Sequence, residues 1–358
     1  MILKIAPLII TLLLTTLSHA QVKFKGVWLS NVGTKTLNSK AYIDSTVATC
    51  KQKGITDIFM VVWNRGYTLY QSKIMQKEFG KAIDPVFKQR DPLQELITSA
   101  HAHNIKVHAW FEFGFSSDYK DTGSHIIKKH PEWLAKTQNG KDVVKNGFRW
   151  MNAFDPKVQN FILSLITEVV KNYNVDGIQG DDRLPANPTT AGYDALTVKK
   201  YKKAHSGNAP PLKIMDSAWV QWRANILNLY AKKIYTTIKK IKPNVQVSMA
   251  PSIYPWSKYE YLQDWPTWLR NGYVDFVVPQ VYRYNIDAYK KTLEAQLAQL
   301  TPAQMQKCYI GMLTSLADGY IVQPQFFAEM QAVNKQLNVA GECYFYIGKI
   351  ENYLTNVK

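Results

Sequence analysis

Residues 155–183 read DPKVQNFILSLITEVVKNYNVDGIQGDDR, and this stretch decides the fold. Asp155 is placed to cap a helix, and Pro156 suits its first turn, where a missing N–H costs nothing. Val158, Phe161, Ile162, Leu165, Ile166, Val169 and Val170 then recur with helical period and share one apolar face. The helical pattern runs to Tyr173. A single residue, Asn174, separates it from a strand-length apolar run, Val175–Asp182. A helix that turns into a buried strand within one residue is half of a β/α unit.

Seven more runs have the length and apolarity of strands: Phe24–Asn31, Ile55–Trp63, Ile105–Glu112, Val245–Pro251, Val274–Tyr282, Cys308–Thr314 and Glu342–Ile347. Helical period fills Ala41–Lys53, Asp91–His103, Asp216–Ile241, Ile286–Leu300 and Pro324–Leu337. In Asp216–Ile241 the pattern predicts an inner face of Trp219, Trp222, Ile226, Leu229, Ile234, Ile238 and Ile241, stopped by Pro243. Helix-to-strand turns are short and use Gly54, Asn104, Asn174, Pro243-Asn244 and Gly272. Strand-to-helix connections are long: Asn64–Arg90, Phe113–Phe154 and Arg183–Met215. Eight such units, tight at one end and elaborate at the other, predict an α/β fold, a single closed (β/α)8 TIM barrel over residues 21–358. Its site would lie at the strands' C-terminal ends. A doubly wound sheet would want a glycine-rich phosphate turn after the first strand, and Asn31-Val32-Gly33-Thr34 is not one.

Residues 1–20 read as a secretory leader. Lys4 is the basic start, Ile5–Leu17 the apolar segment and Ser18-His19-Ala20 the cleavage site. The expectation is a secreted or periplasmic protein, cut near Ala20, with no transmembrane segment in the mature chain. A formal charge of +17 suits an acidic polymer or cell-surface partner, and charge alone does not choose between them. Three cysteines cannot build a disulfide scaffold, so Cys50, Cys308 and Cys343 read as small buried hydrophobes.

Strand alternation places candidate groups. In Ile105–Glu112, Val107, Ala109 and Phe111 would face the helices, leaving His108, Trp110 and Glu112 inside, with Glu112 at the top. In Val175–Asp182, Gln179, Asp181 and then Arg183 would point inward and Asp182 outward. Gln280 and Tyr282 would point inward from Val274–Tyr282, and Trp63 is followed by the polar pair Asn64 and Arg65. Glu112 and Asp181 are then two carboxyls at neighbouring strand tops, the requirement for cleaving a glycosidic bond: one donates a proton, the other attacks or activates water. A nearby arginine, Arg183 or Arg65, would keep one of the two ionised. Asp182 would orient a neighbour. Trp63, Trp110, Tyr254, Trp256, Tyr282 and Tyr284 fall near strand ends, where flat apolar faces could hold sugar rings.

Other signals point to nothing catalytic. His101 and His103 lack further zinc-type ligands. Asp176 reads as structural at the barrel bottom. Lys199, Lys200, Lys202, Lys203, Lys239 and Lys240 read as solvated helix faces that could also guide an anionic wall polymer. No Gly-x-Ser-x-Gly elbow, phosphate loop or nucleic-acid module is recognisable.

Taken together, Phe24-Lys-Gly-Val-Trp-Leu-Ser-Asn31, Val107-His-Ala-Trp-Phe111, Asp155-Pro156 with its helix into Tyr173-x-Val-Asp-Gly-Ile178, Asp181-Asp182 and Val274-Asp-x-Val-Val-Pro-Gln-x-Tyr282 resemble the bacterial glycosyl-hydrolase-like family 10 proteins. The likeness runs from about Phe24 to Tyr284. It implies a secreted or lipoprotein TIM-barrel glycosidase acting on O-glycosidic bonds, with peptidoglycan glycan strands, particularly ones stripped of peptides, as substrate. It also implies that the family's paired acids fall on Asp181 and Asp182. The chain departs from many members at Gln179-Gly180, where His-Phe is common, and at Glu112-Phe113, where Asn-Pro is common. The Val175–Asp182 run also faintly resembles chitinases, whose proton donor would fall at Arg183.

The expectation is therefore a glycoside hydrolase that needs no cofactor and no metal. Asp181 is nucleophile or base and Glu112 proton donor, with Asp182, Arg183, Asn64, Arg65, Gln280 and Tyr282 positioning the sugar. Its rivals are a catalytically silent glycan-binding barrel, with the acids too far apart or tied up by arginine, and a metal-dependent hydrolase using Asp181 and Asp182.

Overall fold

A computed structural model describes residues 24–355 except 88, 121 and 122. The leader read at residues 1–20 lies outside the described residues. Eight parallel strands form one sheet: β1 (Phe24–Leu29), β2 (Asp57–Val61), β3 (Lys106–Phe111), β4 (Gly177–Gly180), β5 (Gln246–Met249), β6 (Phe276–Val277), β7 (Ile310–Leu313) and β8 (Gly341–Phe345). Each lies within one residue of an expected apolar run.

The pairing order is β6-β5-β4-β3-β2-β1-β8-β7, the cyclic order of a barrel. Between β6 and β7 the regular ladder fails. Two isolated parallel bridges, Val277 with Cys308 and Gln280 with Gly311, join them instead. Pro279 lies between the two bridges and has no N–H to donate; its carbonyl accepts from Gly311 N at 3.0 Å. The expectation of a closed cylinder thus holds in its coarser form, an α/β arrangement of eight parallel strands whose regular pairing is interrupted at one seam.

Helices α1 (Lys40–Gln52), α2 (Pro92–Ala102), α3 (Pro156–Asn172), α4 (Ser217–Ile241), α5 (Trp265–Arg270), α6 (Ile286–Leu297) and α7 (Pro324–Gln336) follow strands β1 to β7 in turn. The Asp155 carboxylate accepts from Lys157 N at 2.8 Å, so the cap read from the sequence is present. The short α5 was not anticipated. On α4 the expected face is displaced: Leu229 is 63% exposed, while Arg223, Leu227, Tyr230 and Ala231 lie inside with Trp219, Ile234 and Ile238. Buried Arg223 donates to the carbonyls of Thr189, Ala191 and Ile214, and this fastening of the β4–α4 loop turns the helix.

The interior is layered. Phe24 stacks on Tyr309 at 4.0 Å and Phe59 on His108 at 4.4 Å near the strand starts, where Asp57 Oδ1 lies 2.8 Å from His108 Nε2. Above them Trp28 Nε1 donates to Gln179 at 2.7 Å, and Gln179 donates to Ser248 at 3.3 Å. These contacts pair most of the polar atoms of this interior, although among the described residues His108 Nδ1 and Trp110 Nε1 are buried without a hydrogen-bond partner. Cys50, Cys308 and Cys343 are free and buried. His101 pairs with Asp176 at 2.8 Å at the opposite end from the site, as a structural pair. Among the described residues no helix is long and apolar enough to cross a membrane.

Candidate active site

Three carboxyl groups meet around one guanidinium at the C-terminal ends of β3 and β4. Arg183 Nη2 lies 3.2 Å from Asp181 Oδ2 and 3.7 Å from Glu112 Oε1, and its Nη1 lies 2.9 Å from Asp182 Oδ1. Because one nitrogen touches both, the nearest oxygens of Glu112 and Asp181 are no more than about 7 Å apart, below the upper limit of about 9.5 Å for two-carboxylate hydrolysis. The expected outward turn of Asp182 does not occur. β4 ends at Gly180, so residues 181–183 follow a turn and not the strand's alternation.

Each acid is held by neighbours far along the chain. Gln280 Nε2 donates to Asp181 Oδ1 at 2.8 Å. Asn64 Nδ2 donates to Glu112 Oε2 at 2.6 Å. Buried Gln263 donates to the Asp181 carbonyl at 2.9 Å, and Arg183 Nε to the Glu112 carbonyl at 3.0 Å. Gly114, with φ +47°, lies so close to the Arg183 backbone that a Cβ there would collide with it, and Phe115 N donates to the Arg183 carbonyl at 3.0 Å. The two acid-bearing loops are thereby locked together.

Burial pushes the Asp181 carboxyl well above the usual carboxylate range, and the Asp182 and Glu112 charges push it the same way against Arg183. Burial also raises Glu112, opposed by Arg183 and by the Asn64 hydrogen bond. Both acids shift upward, where the sequence suggested that an arginine would keep one of them low. Desolvation outweighs the single positive charge that three acids must share.

The proposed sugar platforms divide. Trp63 is fully buried and donates to the Gly114 carbonyl at 3.0 Å, so it is scaffold. Trp110 is buried in the layer beneath the acids, 6.4 Å from Trp28. Tyr254 is half-buried against Trp265 at 6.1 Å, on the helical side. Trp256 is 45% exposed and meets Tyr261 at 5.4 Å. Burial, and after it the Asp181 charge, pushes the Tyr282 hydroxyl up, and its ring lies 5.4 Å from Phe345. Arg65 is exposed and weakly favours ionised Glu112.

Sequence reading missed several contributors. The Phe113–Phe154 connection holds a three-stranded antiparallel sheet, Ser116–Tyr119, Val144–Lys145 and Phe148–Trp150. Asn146-Gly147 is a hairpin-turn dipeptide and was the available signal. Through this sheet Phe148 places its ring 4.5 Å from the Arg183 guanidinium. Asn146 donates to the Tyr261 hydroxyl at 2.9 Å, and Lys145 pairs with Glu260, fixing the hairpin against Trp256–Tyr261. Tyr261 feels Asp182 and Arg183, and no local pattern marks it or Gln263.

Comparison with known proteins agrees with this architecture. The chain is 26% identical over 318 residues to glycosyl hydrolase DigH of Escherichia coli strain K12, covering 75% of this chain and 67% of that protein. It is 26% identical over 229 residues to glycosyl hydrolase YngK of Bacillus subtilis, covering 56% of this chain and 41% of YngK. The PgaB (BpsB) glycoside hydrolase domain from Bordetella bronchiseptica superposes with a TM-score of 0.68 at 12% identity, covering 90% of this chain and 94% of that one. The catalytic domain of a Paenibacillus polymyxa β-amylase gives 0.62 at 9% identity, covering 93% and 95%. These two likenesses concern fold alone. The profile described as glycosyl hydrolase-like 10 matches residues 23–331, and the chain belongs to that family.

Proposed function

We propose that the protein is an exported glycoside hydrolase that cleaves O-glycosidic bonds of a polysaccharide with Glu112 and Asp181, on a (β/α)8 barrel whose β6–β7 seam is held by its two bridges. The observation that carries this is the pair of buried carboxyls sharing one Arg183 nitrogen at the strands' open end. Burial raises both Glu112 and Asp181 beside one guanidinium, which suits a pair in which one acid holds a proton and the other is ionised. Both oxygens of Asp181 face fixed N–H donors, Gln280 and Arg183, an arrangement suited to a carboxylate that attacks carbon or activates water. Among the described residues, Glu112 Oε1 has the 3.7 Å contact to Arg183 and no hydrogen-bond donor, leaving it able to carry the proton to the leaving oxygen. One observation points to the reverse assignment: Asp181 is the more deeply buried of the two and is flanked by two acids. Substrates with progressively better leaving groups decide, since losing the donor hurts them least.

The family likeness and the basic charge favour peptidoglycan glycan strands as substrate. The test is incubation with purified strands, with and without stem peptides, and mass analysis of the products. Cleavage by the native protein, lost in Asp181→Asn and Glu112→Gln, supports the proposal; cleavage unchanged in both variants defeats it. The engagement of all three acids by Arg183 supports a second reading, a silent glycan-binding barrel. In that case the native protein binds the strands and releases no fragment.

A further inference from the structure

The β4–α4 connection carries a short helix, Ala195–Ala204, and a loop running on to Asp216, neither of which the acids use. Residues 195–215 hold five lysines, Lys199, Lys200, Lys202, Lys203 and Lys213, and no aspartate or glutamate. Lys200 turns in to the Phe154 carbonyl at 2.7 Å. The other four are exposed. Elsewhere at this end of the barrel, Lys136 and Lys145 are paired with Asp142 and Glu260. No acid pairs with the four exposed lysines among the described residues.

The same stretch holds apolar side chains in solvent. Leu212 is 83% exposed, Met215 44% and Leu196 36%. Leu212 is the most exposed large hydrophobic among the described residues. A slack loop would fold such a side chain inward, but this loop is fastened. Tyr193 donates to the Pro211 carbonyl at 3.0 Å, Gln138 to that of Leu212 at 3.2 Å and Arg223 to that of Ile214 at 3.0 Å. Tyr193 accepts in turn from Trp219 Nε1 at 3.1 Å, and Trp219 packs edge-on against Tyr201, at 4.9 Å, on the buried side of the short helix. Loop and helix are thus two parts of one fixed surface. On the helix, Leu196, Lys199 and Lys203 are three and four residues apart and share the face opposite buried Thr197 and Tyr201.

Lysines alone would suit any polyanion. A polymer dissolved in water gives no reason to hold Leu212 and Met215 outside the fold, whereas a bilayer does: apolar tips enter the acyl boundary and ammonium groups stay at the headgroups. We infer that this surface docks the protein on a membrane containing anionic lipid, with Leu212 and Met215 inserted and Lys199, Lys202, Lys203 and Lys213 at the lipid phosphates. The inference does not depend on the glycosidase reading. The connection that forms the surface leaves the same strand end as Asp181, so docking sets that end of the barrel near the membrane.

The test is co-sedimentation with vesicles of phosphatidylglycerol and phosphatidylcholine in equal parts, against vesicles of phosphatidylcholine alone. Protein recovered after export is used, native and variant alike, so residues 1–20 contribute equally to every comparison. The native protein should bind the anionic vesicles about tenfold more tightly or better, and salt should weaken that binding. Leu212→Ser/Met215→Ser should lower the affinity about tenfold. Lys202→Gln/Lys203→Gln/Lys213→Gln should lower it by about tenfold or more and flatten the salt dependence. Hydrogen exchange should slow across residues 195–215 when anionic vesicles are added. All five changed positions are exposed, and circular dichroism checks that each variant folds. Equal affinity for the two vesicle types, or affinity unchanged in either variant, overturns the inference. Lysine-dependent binding of soluble dextran sulfate without vesicle binding also overturns it and assigns the lysines to a polymer. A dimer that Leu212→Ser/Met215→Ser dissolves, again without vesicle binding, overturns it in favour of a second copy of the chain.

Discussion

Gln280 Nε2 lies 2.8 Å from Asp181 Oδ1, a hydrogen bond between residues 99 positions apart that spans two strand ends. It holds the carboxylate in one orientation beside Arg183. Gln280→Ala should therefore lower kcat by about tenfold with a smaller effect on KM, whereas Asp181→Asn should lower it 10²-fold or more. Initial rates of reducing-end release, measured alongside circular dichroism to confirm folding, check this. Equal losses in the two variants would remove the positioning role from Gln280.

Asp181 also bears on stability. Its folded pKa is raised above the ordinary 3.8, so the folded state holds the proton more tightly than the unfolded chain. The stability that the proton contributes is full below the unfolded value and is lost as pH rises through the folded one. Asp181→Asn removes the ionisation and should raise Tm at pH 7 by about 1–3 °C while abolishing activity. Its Tm should also change less with pH between 4 and 7 than the native protein's. A variant that melts below the native protein at pH 7 would contradict the upward shift.

Asn64 stabilises the ionised form of Glu112 through its 2.6 Å hydrogen bond. Removing that donor in Asn64→Ala should raise the Glu112 pKa further. If Glu112 is the proton donor, activity falls as pH rises through that pKa, so the alkaline limb of kcat/KM should move to higher pH. An unchanged limb would assign the proton to another group.

Glu168 is buried between α3 and the β2–α2 loop. It accepts from Ser72 Oγ at 2.5 Å, Lys73 N at 2.8 Å, Ile74 N at 3.1 Å and Tyr70 at 3.2 Å. Glu168→Ala leaves these donors without their acceptor and should cost about 3 kcal/mol in urea denaturation. The folded fraction should keep its activity, because no acid of the site touches this carboxyl.

Trp63 and Trp256 separate scaffold from rim. Trp63→Ala empties a fully buried site and should cost about 3–5 kcal/mol. Trp256, 45% exposed, should tolerate alanine in the fold and show its loss as a raised KM on long glycans. Thermal melting and kinetics on one long substrate distinguish the two outcomes.

Local chemistry written in the chain was enough for the elements. Asp155-Pro156 starts α3, Asn174 ends the unit, and the eight apolar runs mark the eight strands, because caps, stops and apolar period act over a few residues. Alternation along the run of β3 pointed Glu112 inward, and Glu112 follows directly on the strand's last residue, Phe111. The same alternation could not reach Asp182, which lies past the end of β4, nor orient α4, where Arg223 and the β4–α4 loop turn the helix. Trp63 and Trp256 look alike as letters beside strand ends, and only packing makes one scaffold and the other rim. The assembly of Asn64, Glu112, Asp181, Arg183 and Gln280 required the whole sheet, because strand register brings groups from four strand ends to one point. The upward shift of both acids followed from that assembly too: desolvation depends on everything packed around a carboxyl and is a property of no segment alone.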